Sequence, residues 1–242
     1  MGRLLVVSSG KGGVGKSTVA IGIATALSNS GNETLLVDLD EGLRCLDLML
    51  SVTDRLVFDV SDALQDAAQI DKSMYRVPGT GHLWLMAAPS AVSTIETQAL
   101  ACFAFEISRR FDFVVFDCPA GLDAKYYTAM PAFAEHIVVC NTDKVCVRDA
   151  FEMASALEGY GRSTRLVINR FVKNRITRKY HQNIDSIIDT SGLQLLGVVP
   201  EDIYVMYAAA KEVPIQVGPA AMAFHRIAAR LCGCTVPLKI WK

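Results

Sequence analysis

The run Ser9-Gly10-Lys11-Gly12-Gly13-Val14-Gly15-Lys16-Ser17-Thr18 constrains this chain more than any other segment. From Gly10 to Ser17 it matches the pattern GxxxxGK[ST], and it stands directly between an apolar β-branched run, residues 3–8, and a segment of helical periodicity, near residues 16–30. A strand, a glycine loop and a helix in that order form a cradle for phosphate groups. The glycines let backbone N–H groups turn inward, the helix N-terminus adds its dipole, and Lys16 brings a mobile positive charge. Ser17 has the hydroxyl needed to hold a magnesium ion beside the phosphates. Gly10, Lys11, Gly12, Gly13, Val14, Gly15, Lys16, Ser17 and Thr18 are therefore the candidate phosphate-binding residues.

The rest of the chain repeats the strand-then-helix alternation that builds a parallel sheet. Strands are expected at 3–8, 34–38, 83–87, 113–117, 136–141, 165–169 and 195–199. Most are apolar at every position, as strands covered on both faces must be. Helices are expected near 16–30, 93–110, 124–133, 147–159, 178–191, 202–210 and 219–232, and the stretch 41–80 reads as loop with one helix near 58–68. The fold class is thus α/β, a doubly wound, mostly parallel sheet flanked by helices. The 242 residues are 51% hydrophobic and 20% charged, which suits a compact domain and excludes disorder. We expect one domain spanning 1–242.

Twenty-four basic against 25 acidic residues leave a net charge of −1, so no overall attraction to nucleic acid exists. Seven scattered cysteines suit reduced thiols and a cytoplasmic location, and the four histidines stand too far apart for zinc-ligand spacing. No run reaches the roughly 18 apolar residues of a membrane span.

Two more strands end in carboxylates. Asp38-Leu39-Asp40 closes the second strand, and ligands in doubly wound sheets bind beyond strand C-termini, so Asp40 is the candidate for orienting an attacking water. Phe113-Val114-Val115-Phe116-Asp117 is a Walker B pattern whose Asp117 is expected to hold magnesium through water.

Lys11 is a second lysine inside the phosphate loop, and residues 11–17 read KGGVGKS. Here the sequence resembles the MinD/ParA family of P-loop ATPases, defined by the deviant Walker A motif KGGVGK[ST], and it is closest to the MinD branch. The resemblance continues through Asp38–Asp47, read as a first switch, and Cys118-Pro119-Ala120-Gly121, read as a second. It extends to Asn169-Arg170 and to Val199-Pro200-Glu201-Asp202. It implies ATP and Mg2+ as ligands, a homodimer in the ATP state, and Lys11, Lys16 and Asp40 as catalytic residues, with Lys11 reaching across the dimer. It also implies that Asn169 meets the adenine edge, beside Arg170, while Pro200, Glu201 and Asp202 wall the base. For Asp202, a helix N-cap is an equally good reading of the residues. Asn141–Asp143 and Val147–Asp149 resemble a dimer-lining stretch. Cys45 departs from the asparagine common at its position, exchanging an amide for a poor hydrogen-bonding thiol.

The family resemblance implies an ATP-hydrolysing, dimerising switch that regulates placement of cell division or a related surface assembly, with an activator or inhibitor protein as partner. Membrane binding is in doubt because only nine residues, including Pro237, follow Gly233 where a basic amphipathic helix is usual. Leu238, Ile240 and Trp241 between lysines form a weak interfacial alternative, and the helix near 219–232 reads as a docking helix of the core. Two other classes are weighed. A DNA-segregating ParA-like protein would use the basic run Arg162, Arg165, Arg170, Lys173, Arg175, Arg178 and Lys179. An iron–sulfur or metallocofactor carrier of the same superfamily would need paired cysteines, for which the spacing is not clear.

Overall fold

The computed structural model describes residues 1–41, 44–89, 95–172 and 183–238. Eight strands form one sheet: β1 (Arg3–Ser8), β2 (Thr34–Asp38), β3 (Tyr75–Arg76), β4 (Leu83–Met86), β5 (Phe113–Asp117), β6 (Glu135–Cys140), β7 (Ser163–Phe171) and β8 (Gln194–Pro200). Their spatial order is β3-β4-β2-β5-β1-β6-β7-β8. Every pairing is parallel except that of β3 with β4. Strand β1 lies between β5 and β6, so the loop leaving its C-terminal end opens where the sheet's two halves meet.

Alternation along the strands sorts their side chains into two cores. Leu5 and Val7 of β1, Leu36 of β2 and Val115 of β5 enter the larger core, whereas Leu4 and Val6, Leu35 and Val37, and Val114 and Phe116 enter the smaller one. The larger core is closed by α1 (Lys16–Asn29), α6 (Lys144–Gly159), α7 (Ile184–Ser191) and α9 (Gly218–Leu231), and the smaller by α3 (Val60–Gln65) and α4 (Thr97–Ile107). Helix α1 is buried nearly all round because α9 lies against its outer side. At the crossing, Gly22 faces the Phe224 ring so closely that a Cβ there would come within 2.3 Å of it. Ala220, Phe224, Ile227, Ala228 and Leu231 are all buried, which establishes α9 as a core docking helix.

Several expected boundaries shift for identifiable reasons. Within 41–80 the helix expected near 58–68 is α3, and the stretch holds more besides: α2 (Leu46–Met49), 3-10 turns at Thr53–Arg55 and Ala67–Ser73, and the edge strand β3. These pieces are too short for a periodicity to show. Helix α5 (Ala124–Thr128) stops five residues before its expected end, because Pro131 disfavours helix at Met130 and offers no N–H. Helix α6 starts three residues early, where Asp143 accepts hydrogen bonds from the amides of Val145 and Cys146. Parts of the expected helices at 93–110 and 178–191, and residues 239–242, lie outside the described residues. Helix α8 (Ile203–Ala210) matches its expected position closely.

Candidate functional site

The loop after β1 turns through two left-handed glycines, Gly13 (φ 81°) and Gly15 (φ 85°). Gly15 is doubly required: a Cβ there would lie 2.3 Å from the side-chain nitrogen of Asn169. Helix α1 then begins at Lys16 with no capping side chain and no acidic residue in its first turn. By contrast, α3, α5, α6, α7 and α8 are each capped by an Asp or Asn side chain. The first N–H groups of α1 and its dipole are thus left to an external anion. Val14 is buried, whereas Lys11, Gly12 and Gly13 are exposed and Ser17 and Thr18 are half-buried in the first turn of α1.

Lys16 does not point to solvent. Its Nζ donates to Oδ1 of Asp117 at 2.8 Å, with both side chains buried. Burial works against the ammonium, but the charge and hydrogen bond of Asp117 outweigh it and hold Lys16 above its ordinary value. Burial likewise pushes the Asp117 carboxyl up, opposed by Lys16 and Ser17. The parallel register sets Asp38 of β2 directly beside Asp117 of β5. Asp38 is fully buried, and burial together with the Asp117 charge raises its pKa to about 7. Its oxygens accept the amides of Asp40 at 2.9 Å and Leu46 at 3.5 Å, which bends the chain so that Asp40 stands within electrostatic reach of both Lys16 and Asp117. The expected trio of Lys16, Asp40 and Asp117 is therefore brought together. Asp38 was the residue missed, although two neighbouring parallel strands that both end in Asp after an apolar run were a readable signal.

Magnesium can be tested against these side chains. Oδ2 of Asp117 is buried without a protein hydrogen-bond partner among the described residues, and Ser17, Asp38 and Asp40 lie close enough to that carboxyl to act on it or be acted on by it. Such a set fits a hydrated divalent cation. Among the described residues no cluster of three His, Cys, Asp or Glu forms a protein-only metal cage. Cys45 touches this set. Burial and the nearby Asp38 push its thiol up to about 11, with a hydrogen bond from Ser17 opposing.

Lys11 lies elsewhere. It is exposed and near Asp143, whose carboxyl is lowered mainly by its cap to Cys146, with Lys11 contributing. Gly10 packs on the backbone of Asp149, so the loop rests on α6.

The residues expected around a base behave differently from one another. A register irregularity in β7, with Arg170 at φ 53°, turns Asn169 beneath the phosphate loop. There its amide nitrogen donates to the carbonyls of Val14 at 2.9 Å and Gly15 at 3.4 Å, and the residue is only 3% exposed. In this structure Asn169 grips the phosphate loop. Both Asp202 oxygens are used as caps, one for Tyr204 of α8 at 3.0 Å and one for Ala220 of α9 at 2.8 Å, so the N-cap reading is the one observed. Pro200 ends β8 half-buried, and the exposed side chains of Glu201 and Arg170 pair at 3.4 Å. Of the basic run, Arg165 is paired with Glu135, Arg170 with Glu201, and Arg162 donates to the Thr128 carbonyl; Lys173, Arg175, Arg178 and Lys179 lie outside the described residues.

Among the described residues no helix is long and apolar enough to cross a membrane.

Comparison with known proteins agrees with this geometry. The family described as CobQ/CobB/MinD/ParA nucleotide binding domain matches residues 5–215. The septum site-determining protein MinD of Bacillus subtilis is 32% identical over 99% of this chain and 92% of its own length. Among solved structures, the MinC:MinD cell division protein complex of Aquifex aeolicus superposes with a TM-score of 0.89 at 29% identity, covering 99% of this chain and 100% of that one. MinD of Pyrococcus horikoshii, solved with Mg-ADP, superposes with a TM-score of 0.83 at 26% identity, covering 96% of each chain. With its phosphate loop, its paired strand-end carboxylates and a match over most of its length, the chain belongs to the MinD/ParA family of nucleotide-binding P-loop proteins.

Proposed function

We propose that this protein is a MinD-type ATPase that hydrolyses ATP to ADP and phosphate, dimerises when ATP is bound, and acts through that dimer to position cell division. The observation that carries the reading is the buried Lys16–Asp117 pair at the mouth of an uncapped helix N-terminus. A polyphosphate can take over the ammonium, leaving the carboxylate to meet a cation. The names of the relatives, septum site-determining proteins, support the division role.

In this reading the loop amides of Gly10–Ser17 and the N-terminus of α1 bind the phosphates. Lys16 moves from Asp117 to the β and γ oxygens. Ser17 and Asp117 would hold Mg2+, which would supply charge neutralisation on the phosphates. Asp40 orients the water that attacks the γ-phosphorus; the bond from that phosphorus to the bridging oxygen breaks, and ADP leaves. Lys11, exposed and near Asp143, serves the nucleotide of a second copy, as a cation delivered in trans. Arg170, Pro200, Glu201 and Asp202 border the base, with Asn169 supporting it from beneath the loop. The MinC:MinD complex solved for the Aquifex aeolicus relative supports a protein partner for this chain. We place the protein in the cytoplasm, working as one ATPase domain over 1–242. Nothing in the described part of the basic run favours DNA as its target.

Light scattering in ATP and in ADP, with phosphate release and co-sedimentation on anionic liposomes, tests the reading. We expect a dimer in ATP, a monomer in ADP and slow phosphate release. A monomer in both nucleotides sinks the dimer switch, and absence of nucleotide binding sinks the whole reading. Liposome binding only in ATP would assign the dimer to the membrane surface; dimerisation without it would direct the dimer to a protein partner.

A further inference from the structure

Two adjacent tyrosines in the short helix α5 reach two different loops. The Tyr126 hydroxyl donates to Oε1 of Glu41 at 3.0 Å, and Lys125 approaches the same oxygen at 3.4 Å. Glu41 directly follows Asp40, and its side chain is only 7% exposed. The Tyr127 hydroxyl donates to the Gly121 carbonyl at 2.7 Å, at the end of the loop that follows Asp117. Gly121 in turn donates its amide to the Ser9 carbonyl at 2.9 Å, at the start of the phosphate loop. Both rings are buried, Tyr126 in the smaller core and Tyr127 in the larger, so α5 is anchored on both sides of the sheet. Burial pushes both phenols upward, and for Tyr126 the Glu41 carboxylate adds to it, so each remains a protonated donor. Hydrogen bonds from a buried donor to a charged or polar acceptor are stronger than exposed ones. Nothing in the phosphate-binding chemistry requires them.

We propose that Tyr126 and Tyr127 are positioning residues that tie the Asp40–Glu41 segment and the 118–121 loop to one helix, so that the two segments flanking Asp117 shift together. This rests on the reading of those segments as nucleotide-facing. The Ser9–Gly121 bond extends the tie to the phosphate loop, so a ligand that moves one segment moves the other two. Lys125 reinforces the first arm, since it also lies 4.7 Å over the Tyr126 ring and 3.9 Å from Asp123.

The test uses the full chain with Tyr126→Phe, Tyr127→Phe, Glu41→Ala and the Tyr126→Phe/Glu41→Ala pair. Amide hydrogen exchange is followed at Asp40, Glu41 and Gly121, together with kcat and KM for ATP. Tyr126→Phe should speed exchange at Asp40 and Glu41 by about tenfold, and at Gly121 by several-fold although the lost hydroxyl bonds Glu41 and not Gly121. Loss of the Tyr126–Glu41 bond should lower kcat by about tenfold while leaving KM within about twofold, the split expected of a residue that orients rather than binds. Adding Tyr126→Phe to Glu41→Ala should change nothing further. Unchanged exchange at Gly121, or additive effects in the pair, would overturn the coupling. Should either Phe variant fail to fold, Glu41→Gln, which keeps the side-chain shape and removes the charge, reads the same exchange. A wild-type chain without ATP turnover would refute the proposed activity, and the exchange comparison would still decide the tie.

Discussion

Nζ of Lys16 and Oδ1 of Asp117 stand 2.8 Å apart across 101 residues of sequence, and neither group is open to solvent. In the proposed reading, the ammonium that would meet a phosphate is thus held by the carboxylate that would meet a cation. A nucleotide with its metal would then exchange both partners at once, whereas removal of either residue strands the other as a buried unpaired charge.

Lys16→Met should therefore abolish nucleotide binding and also destabilise the protein by roughly 3 kcal/mol, because Asp117 is left uncompensated. Adding Asp117→Asn should recover most of that stability without recovering binding. Urea denaturation and titration with a fluorescent nucleotide separate the two effects. A stable Lys16→Met protein would show that the pair contributes little to the fold.

Lys11→Ala should leave nucleotide affinity within about twofold of the parent, since the side chain is exposed and the loop contributes its Lys11 backbone amide whatever the side chain. If the lysine acts in trans, turnover in the ATP dimer should fall by about 10³-fold. Phosphate release at rising protein concentration measures this. Unchanged turnover would remove Lys11 from the chemistry.

Acid should weaken the fold through His136 of β6, which lies opposite Val6 of β1 in the sheet. The residue is fully buried, and neither ring nitrogen has a protein hydrogen-bond partner among the described residues. Burial, helped by Arg162, lowers its pKa to about 4 from an ordinary 6.5. The folded chain therefore keeps it neutral while the unfolded chain takes up a proton between those values. Its contribution is fully present above about pH 6.5 and is lost as pH falls toward 4, amounting to roughly 3 kcal/mol at about 1.4 kcal/mol per unit. His136→Leu should flatten the urea midpoint between pH 7 and pH 5. A variant with the parent's acid sensitivity would assign it to other groups.

Gly22→Ala gains helix propensity but drives a methyl into the Phe224 ring, which a Cβ would meet at 2.3 Å. The packing term should dominate, costing about 1 to 3 kcal/mol net of the gain in propensity. Phe224→Leu should be less harmful in the Gly22→Ala background than alone. Thermal unfolding of the four proteins provides the comparison, and a more stable Gly22→Ala would mean that α9 moves aside readily.

The amino-acid sequence by itself determined the features governed by short-range rules. The glycines and lysines of 10–17 lie within eight consecutive residues, so their order alone pointed to a phosphate cradle, and strands β1, β2 and β5 could be read to the residue because their apolar runs ended at serine or aspartate. What only the tertiary structure decided depended on partners remote in sequence. Asn169 grips Val14 and Gly15 because an irregularity in β7 turns it under the loop. Asp38 has its pKa raised to about 7 because the sheet register sets it beside Asp117 in a site without water contact. The edge strand β3 exists because Tyr75 and Arg76 find β4, since two residues carry no periodicity of their own. Local order is encoded by neighbours three or four positions away. Burial and charge at the site belong to contacts that form only once the sheet is assembled, which is why residue type and spacing identified the loop but not the pairings around it.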